Sequence, residues 1–171
     1  TGHSPQATVD AISTQLKRGM TAMLPTADAV AVSSELARRF GLPLWQFTVS
    51  ATDANRHAIR YSRLITGKSK IIVIDRCYHG SVDETFATLD GSGKTVVREG
   101  NIGAPVPLDM TTRVVEFNDV AGMETALKHG DVAAILMEPA MTNVGIVLPE
   151  SGYLAAVGEL AKKYEIGRAH V

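Results

Sequence analysis

Apolar residues recur at helical spacing in two early stretches of the chain. Over residues 5–17, Ala7, Val9, Ile12 and Leu16 share one side, with Ser4 as a candidate N-cap and Pro5 in the first helical position. A loop around residues 19–25 follows. Over residues 26–40, Val30, Leu36, Ala37 and Phe40 repeat the pattern, and Gly41 and Pro43 end it. The period then changes. Residues 45–49 predict a short strand, 53–66 a helix closed by Gly67, and 70–75 a compact β-branched strand. Residues 80–109, rich in Gly, Ser, Thr, Asp and Pro, predict a long excursion with weak structure, of the kind that is usually functional inside a compact domain. Another strand is predicted at 113–117, and a helix at 119–129 capped by Asn118 or Asp119 and stopped by Gly130. A buried strand at 131–138 and a last helix at 151–164 capped by Ser151 complete the pattern. Alternating strand and helix predicts an α/β fold, a mostly parallel sheet flanked by helices.

Composition narrows the class. The 171 residues are 45% hydrophobic and 20% charged, with a formal net charge of −1, which is the profile of a globular chain with a real core. No basic cluster suggests a nucleic-acid partner, and the longest apolar runs, such as residues 132–137, are far too short to span a membrane. The single cysteine, Cys77, fits a reducing compartment, so the expected location is cytoplasmic. His79 lacks ligand spacing with Cys77 or the other histidines, so no metal site is expected.

Three segments carry candidate chemistry. Val49-Ser50-Ala51-Thr52-Asp53-Ala54 leads from the first strand into a helix through small residues. Such a turn offers free N–H groups, a positive dipole end and room for close approach, which suits a phosphate; taken alone, it is more often a plain helix cap. Asp53 in the first turn suits the dipole but must point away from a phosphate. Arg76-Cys77-Tyr78-His79-Gly80 follows the next strand, where Tyr78 can stack on a flat heterocycle and His79 can donate a hydrogen bond, or both can pack under the long loop. Glu138-Pro139-Ala140-Met141-Thr142-Asn143-Val144-Gly145 follows a third strand, where an acid and an amide can read polar atoms of a ring, or Pro139 and Gly145 can be loop punctuation. All three follow strand ends, which share one edge of a parallel sheet and can converge on one cleft.

Together these segments resemble the class III aminotransferases, pyridoxal-phosphate enzymes of fold type I, and particularly the glutamate-1-semialdehyde aminomutase branch. The matching stretches are Gly2-His3-Ser4-Pro5, Ser50-Ala51-Thr52-Asp53-Ala54 in place of the family's Ser-Gly-Thr-Glu-Ala, Cys77-Tyr78-His79-Gly80, and Glu138-Pro139 with Asn143, Gly145 and Pro149. The likeness runs from Thr1 to about Tyr164. It implies that residues 1–44 are N-terminal helices leading into the large domain and 45–165 a partial pyridoxal-phosphate-binding large domain. It also implies cofactor-binding roles for Ser50, Ala51, Thr52, Tyr78, His79, Glu138 and Asn143. Ala51 and Thr52 would hold the phosphate, Tyr78 would stack on the ring with His79 shaping the loop beneath, Asn143 would approach the phenolic oxygen, and Glu138 would support the same wall. Alanine for glycine at position 51 would bring strain if the turn needs a positive φ.

The resemblance also implies an aspartate for the pyridinium nitrogen and a lysine for the Schiff base, both beyond the likeness. Lys68, Lys70, Lys162 and Lys163 read as solvated, so no catalytic residue is expected here. Residues 165–171 do not read as the next buried strand, and 166–171 are expected to be a non-native tail, since suitable codons for Ile-Gly-Arg-Ala-His-Val match a common sequencing adapter. The implied function is a fragment of an aminotransferase or aminomutase, inactive by itself, whose intact parent is a homodimer acting on an amino donor and a keto acceptor. A decarboxylase or racemase on the same fold is the alternative enzyme class. A phosphate- or nucleotide-binding α/β module is the alternative without catalysis, although neither Gly-x-Gly-x-x-Gly nor a Walker lysine is present.

Overall fold

The computed structural model describes residues 3–20 and 23–170, with side chains through Ile166. Gly2 of the first motif and Val171 of the tail lie outside them. The chain divides into two compact units, one ending at Gln46 and one beginning at Phe47.

The first unit holds α1 (Gln6–Leu16) and α2 (Ala27–Phe40). Helix α1 starts at Gln6 with Pro5 in the cap position and no side-chain cap, so Ser4 does not serve. At α2 the Thr26 hydroxyl accepts from the Ala29 N–H, and Gly41 closes the helix in the left-handed conformation that glycine adopts freely. Residues 45–49 form no strand: an extended segment without a neighbouring ladder is coil, and Val49 is fully exposed.

The second unit contains α3 (Ala51–Thr66), β1 (Lys70–Ile74), β2 (Ala87–Leu89), β3 (Thr95–Val97), β4 (Thr112–Val115), α4 (Val120–Leu127), β5 (Val132–Met137), α5 (Tyr153–Lys163) and β6 (Gly167–His170). The main sheet has the order β4-β1-β5-β6, and every pair is parallel. Ile71, Ile72, Val73 and Ile74 of the central β1 are sealed from solvent, as are Val132 to Leu136 of β5. That explains their continuous apolar runs: a strand covered on both faces has no polar side. Each such buried aliphatic chain contributes about 1.5–3 kcal/mol of transfer free energy. Crossovers through α4 and α5 run in the same sense and place both helices on one face, where they pack together. Helix α3 packs against β5 and β6.

Three sequence expectations change here. The excursion over residues 80–109 is ordered by the antiparallel β2–β3 hairpin and two short 3-10 turns, Asp83–Thr85 and Leu108–Met110. Three-residue strands are too short for a periodicity to announce them. Helix α5 begins at Tyr153 behind Gly152 (φ 83°) and has no side-chain cap, so Ser151 is not its N-cap. Finally, Gly167–His170 does pair in parallel with β5 and forms the sheet's next strand. Backbone ladders accept any residue with an N–H, whatever its hydropathy.

Candidate functional site

The parallel arrangement brings the carboxyl ends of β1 and β5 together, and α3 runs back toward the opposite edge. Its beginning lies against the loop after β1, and its end, at Arg63, donates to the Ser69 carbonyl just before β1 (2.8 Å).

At the start of α3, Ser50 is the N-cap. Its Oγ accepts from the Asp53 N–H (3.2 Å) and donates to the Asp53 carboxylate (2.8 Å), so the hydroxyl and the acid close on each other. This turns Asp53 away from the helix axis and leaves Ser50 no proton for a ligand. The N–H groups of Ala51 and Thr52 open the helix and have no intrahelical acceptor by position. Ala51 is an ordinary helical residue outside the positive-φ set, so alanine there carries no strain. The Thr52 Oγ1 accepts from the Ser81 N–H (3.0 Å), and its own O–H remains to donate.

The loop after β1 is gripped from several sides. The buried Asp75 carboxylate accepts from the Thr88 hydroxyl (2.6 Å) and the Leu89 N–H (2.9 Å), tying the hairpin to the strand end. Arg98, delivered by the end of the hairpin, donates to the Cys77 carbonyl. Cys77 is buried, and burial pushes its thiol up to about 12, which makes it inert packing rather than a nucleophile. Tyr78 presents half its surface to solvent. His79 is only 3% exposed, and among the described residues no partner reaches its Nε2. Burial pushes this imidazole below the usual histidine range; the Glu138 charge opposes that, the Arg98 charge adds to it, and the Leu136 backbone opposes it. His79 is therefore neutral near pH 7. Gly80 (φ 79°) sits so close to Thr52 that an added Cβ would stand 2.4 Å from Oγ1.

After β5, the Glu138 carboxylate accepts from the Thr142 hydroxyl (2.7 Å) and N–H (3.2 Å), folding the segment back on itself. Asn143 then donates across 67 residues to the Arg76 carbonyl (3.0 Å). Loop 76–81 is thus the hub: Thr52 reaches it from α3, Asn143 reaches it from the β5 loop, and His79 within it feels Glu138. The three sequence-predicted segments meet at one sheet edge. Sequence reasoning missed Asn55 and Arg98. An amide one helical turn before Ile59, on the inward stripe of α3, was a usable signal for Asn55; nothing in the sequence announced Arg98.

The lysines lie elsewhere. Lys68 and Lys70 stand at the other end of β1, bonded to the Tyr164 carbonyl (2.9 Å) and near Asp131 (3.8 Å), while Lys162 and Lys163 pair with Glu159 and Glu124 on α5 and α4. A five-residue strand separates the first two from the candidate site by roughly 16 Å. Among the described residues no cluster could hold a metal ion.

The sequence profile of the class-III aminotransferases matches residues 1–167. The chain belongs to that family. Among curated proteins it is 31% identical to a glutamate-1-semialdehyde 2,1-aminomutase of Methanothrix thermoacetophila over 96% of this chain and 38% of that protein. A Desulfitobacterium hafniense protein of the same name gives 31% identity over 95% of this chain and 39% of the relative. The chain therefore spans under two-fifths of the length of these relatives. Among solved structures, a glutamate-1-semialdehyde-aminomutase from Pseudomonas aeruginosa superimposes with a TM-score of 0.94 at 50% identity, covering 98% of this chain and 37% of that one. A variant from the same organism, solved in complex with PMP, matches equally. An omega-transaminase from Sphaerobacter thermophilus gives a TM-score of 0.86 at 29% identity, over 99% of this chain and 41% of its own. The family match covers all of the second unit through Gly167, whose α/β architecture it shares with these aminotransferase structures.

Proposed function

We propose that this chain is the phosphate- and ring-holding part of a pyridoxal-phosphate-dependent aminotransferase or glutamate-1-semialdehyde aminomutase. The observation that carries the reading is the meeting of the α3 start, loop 76–81 and the β5 loop at one sheet edge, with polar groups left open there. The Ala51 and Thr52 N–H groups and the Thr52 hydroxyl proton supply three donors to a phosphate, helped by the positive end of α3. Ser50 shapes that turn and donates nothing to the ligand. Tyr78 lies exposed beside the turn, free to cover the ring, and the neutral His79 shapes the floor under it. Asn143, with one amide hydrogen on Arg76, keeps its second for the ring's phenolic oxygen. Glu138 holds the loop that delivers Asn143 and sets the charge facing His79.

The cofactor, when bound, supplies an aldehyde that takes up an amino group and a ring that acidifies the adjacent C–H bond. This chain's own residues bind and orient; Lys68 and Lys70 stand at the opposite end of β1, and Lys162 and Lys163 pair with Glu159 and Glu124. We therefore infer that the chain alone has no transaminase turnover, and that the intact enzyme is a cytoplasmic homodimer using an amino donor and a keto acceptor. No helix of the described residues is long and apolar enough to cross a membrane.

Spectroscopic titration with pyridoxal phosphate tests this reading. The intact enzyme should bind it, with Thr52→Val weakening binding about tenfold through loss of one hydrogen bond to a charged group. Equal binding by wild type and by a Thr52→Val, Tyr78→Ala double variant would overturn the assignment.

A further inference from the structure

Helix α3 holds one fully buried amide. Asn55 is 1% exposed, and its Nδ2 donates to the His79 carbonyl 24 residues away (2.9 Å). Two neighbours on the same helical face grip the next peptide of the loop. Thr52 Oγ1 accepts from the Ser81 N–H (3.0 Å), and Arg56 Nη2 donates to the Ser81 carbonyl (3.1 Å). Both of those contacts are exposed to water, whereas the Asn55 bond is shielded from it. A shielded bond is the most costly to lose, because the abandoned carbonyl has no water to turn to.

Immediately upstream, the Tyr78 hydroxyl makes no hydrogen bond among the described residues. The ring's position is therefore set by its own backbone, which leads directly into the peptide that Asn55 holds. Gly80 completes the arrangement: its positive φ turns the chain there, and the missing side chain lets the loop lie against Thr52.

We infer that Asn55 is a positioning residue which fixes the Tyr78 ring through the His79 carbonyl, making the phosphate-binding turn and the ring-stacking loop one rigid body. This rests on the proposed function above, with Tyr78 over the cofactor ring. Asparagine is required at this place because an aspartate of the same shape would turn a charged acceptor toward the carbonyl oxygen. Leucine would fill the space and leave that oxygen bare. The proposal gives α3 a second duty: its first turn meets the phosphate and its second turn aims the aromatic that meets the ring.

The test is a double-mutant cycle in the intact enzyme, with pyridoxal phosphate as the probe and folding checked by far-ultraviolet circular dichroism. Asn55→Ala and Tyr78→Ala should each weaken binding about tenfold. If Asn55 acts through Tyr78, the double variant should be no worse than about twofold below the weaker single variant. The induced dichroism of the bound cofactor should fall alike in all three. Should Asn55→Ala fail to fold, Asn55→Asp takes its place; its binding deficit should shrink as the pH falls and the carboxyl regains a proton to donate. Multiplied effects in the double variant, or an Asn55 variant that folds and binds like wild type, would overturn the role given to Asn55 and leave the cofactor assignment standing. A Tyr78→Ala variant that binds as wild type would instead remove the stacking reading, and this inference with it.

Discussion

The two edges of the parallel sheet are built from different residue types and used in opposite ways. At the edge where the strands begin, charged side chains are mostly paired, although one terminal nitrogen of Arg63 is buried without a partner among the described residues. Arg113 is paired with Asp131 by both guanidinium nitrogens, Lys70 approaches the same carboxylate, Lys68 caps the Tyr164 carbonyl, and Arg63 bonds both Ser69 and Glu84. At the edge where the strands end, groups remain open: the Ala51 and Thr52 N–H groups, the Thr52 proton, the Nε2 of His79, the Tyr78 face. Closed polar pairs hold a fold, while polar groups left open in fixed positions are what a ligand site requires.

Substitutions where the strands begin should therefore change stability alone, whereas only where the strands end can one change cofactor affinity as well. The largest effect is expected from Gly80→Ala, which places a methyl 2.4 Å from Thr52 Oγ1 at a positive φ. It should lower stability by about 2–3 kcal/mol and abolish most cofactor affinity, both readable by thermal melts and titration. Asp131→Ala comes next. It strands the half-buried Arg113 guanidinium and should cost about 2 kcal/mol while leaving cofactor affinity unchanged, and a change in that affinity would break the division.

The same pair gives a pH signature. Arg113 beside Asp131 holds its carboxyl below the usual carboxylate range, so the folded value lies below the unfolded one. Its contribution is present above the unfolded carboxylate range, near pH 4, and is lost as pH falls through the depressed folded value. Acid melts of Asp131→Asn should lack that component. His79 works in the same direction from the other edge: burial lowers its value, so the stability it confers fades as pH drops below the ordinary histidine range. In an NMR titration its ring should become protonated at lower pH than an unperturbed histidine, and a value above the ordinary histidine range would contradict its burial. The smallest effect belongs to Ser50→Ala, which removes a cap and should cost about 1 kcal/mol, with phosphate affinity nearly unchanged because the hydroxyl is already held by Asp53.

Strand β1 and strand β5 were legible because continuous burial leaves an unbroken apolar run, and α3 because its polar and apolar positions separate at helical spacing. The site segments were legible for a related reason: short loops leaving parallel strands all emerge at one edge, so motif order along the chain already implied their meeting. The misread strands share one cause. Residues 45–49 looked like a strand and are coil, the 80–109 excursion looked irregular and holds a hairpin, and residues 165–171 did not look like a strand although Gly167–His170 form one. In each case strand pairing decides the outcome, and local composition does not report the partner.

From the sequence alone came the α/β class, the three loops that meet at one sheet edge and the family resemblance, since all are recorded in residue type and order. Only the tertiary structure decided what each polar atom does. Ser50 caps α3 with its hydroxyl directed to Asp53, Ala51 proved unstrained because it is already helical, and Asn55 and Arg98 entered because folding set them against a loop far away in sequence. A hydrogen bond needs two partners within about 3 Å, and the chain's linear order does not contain that distance.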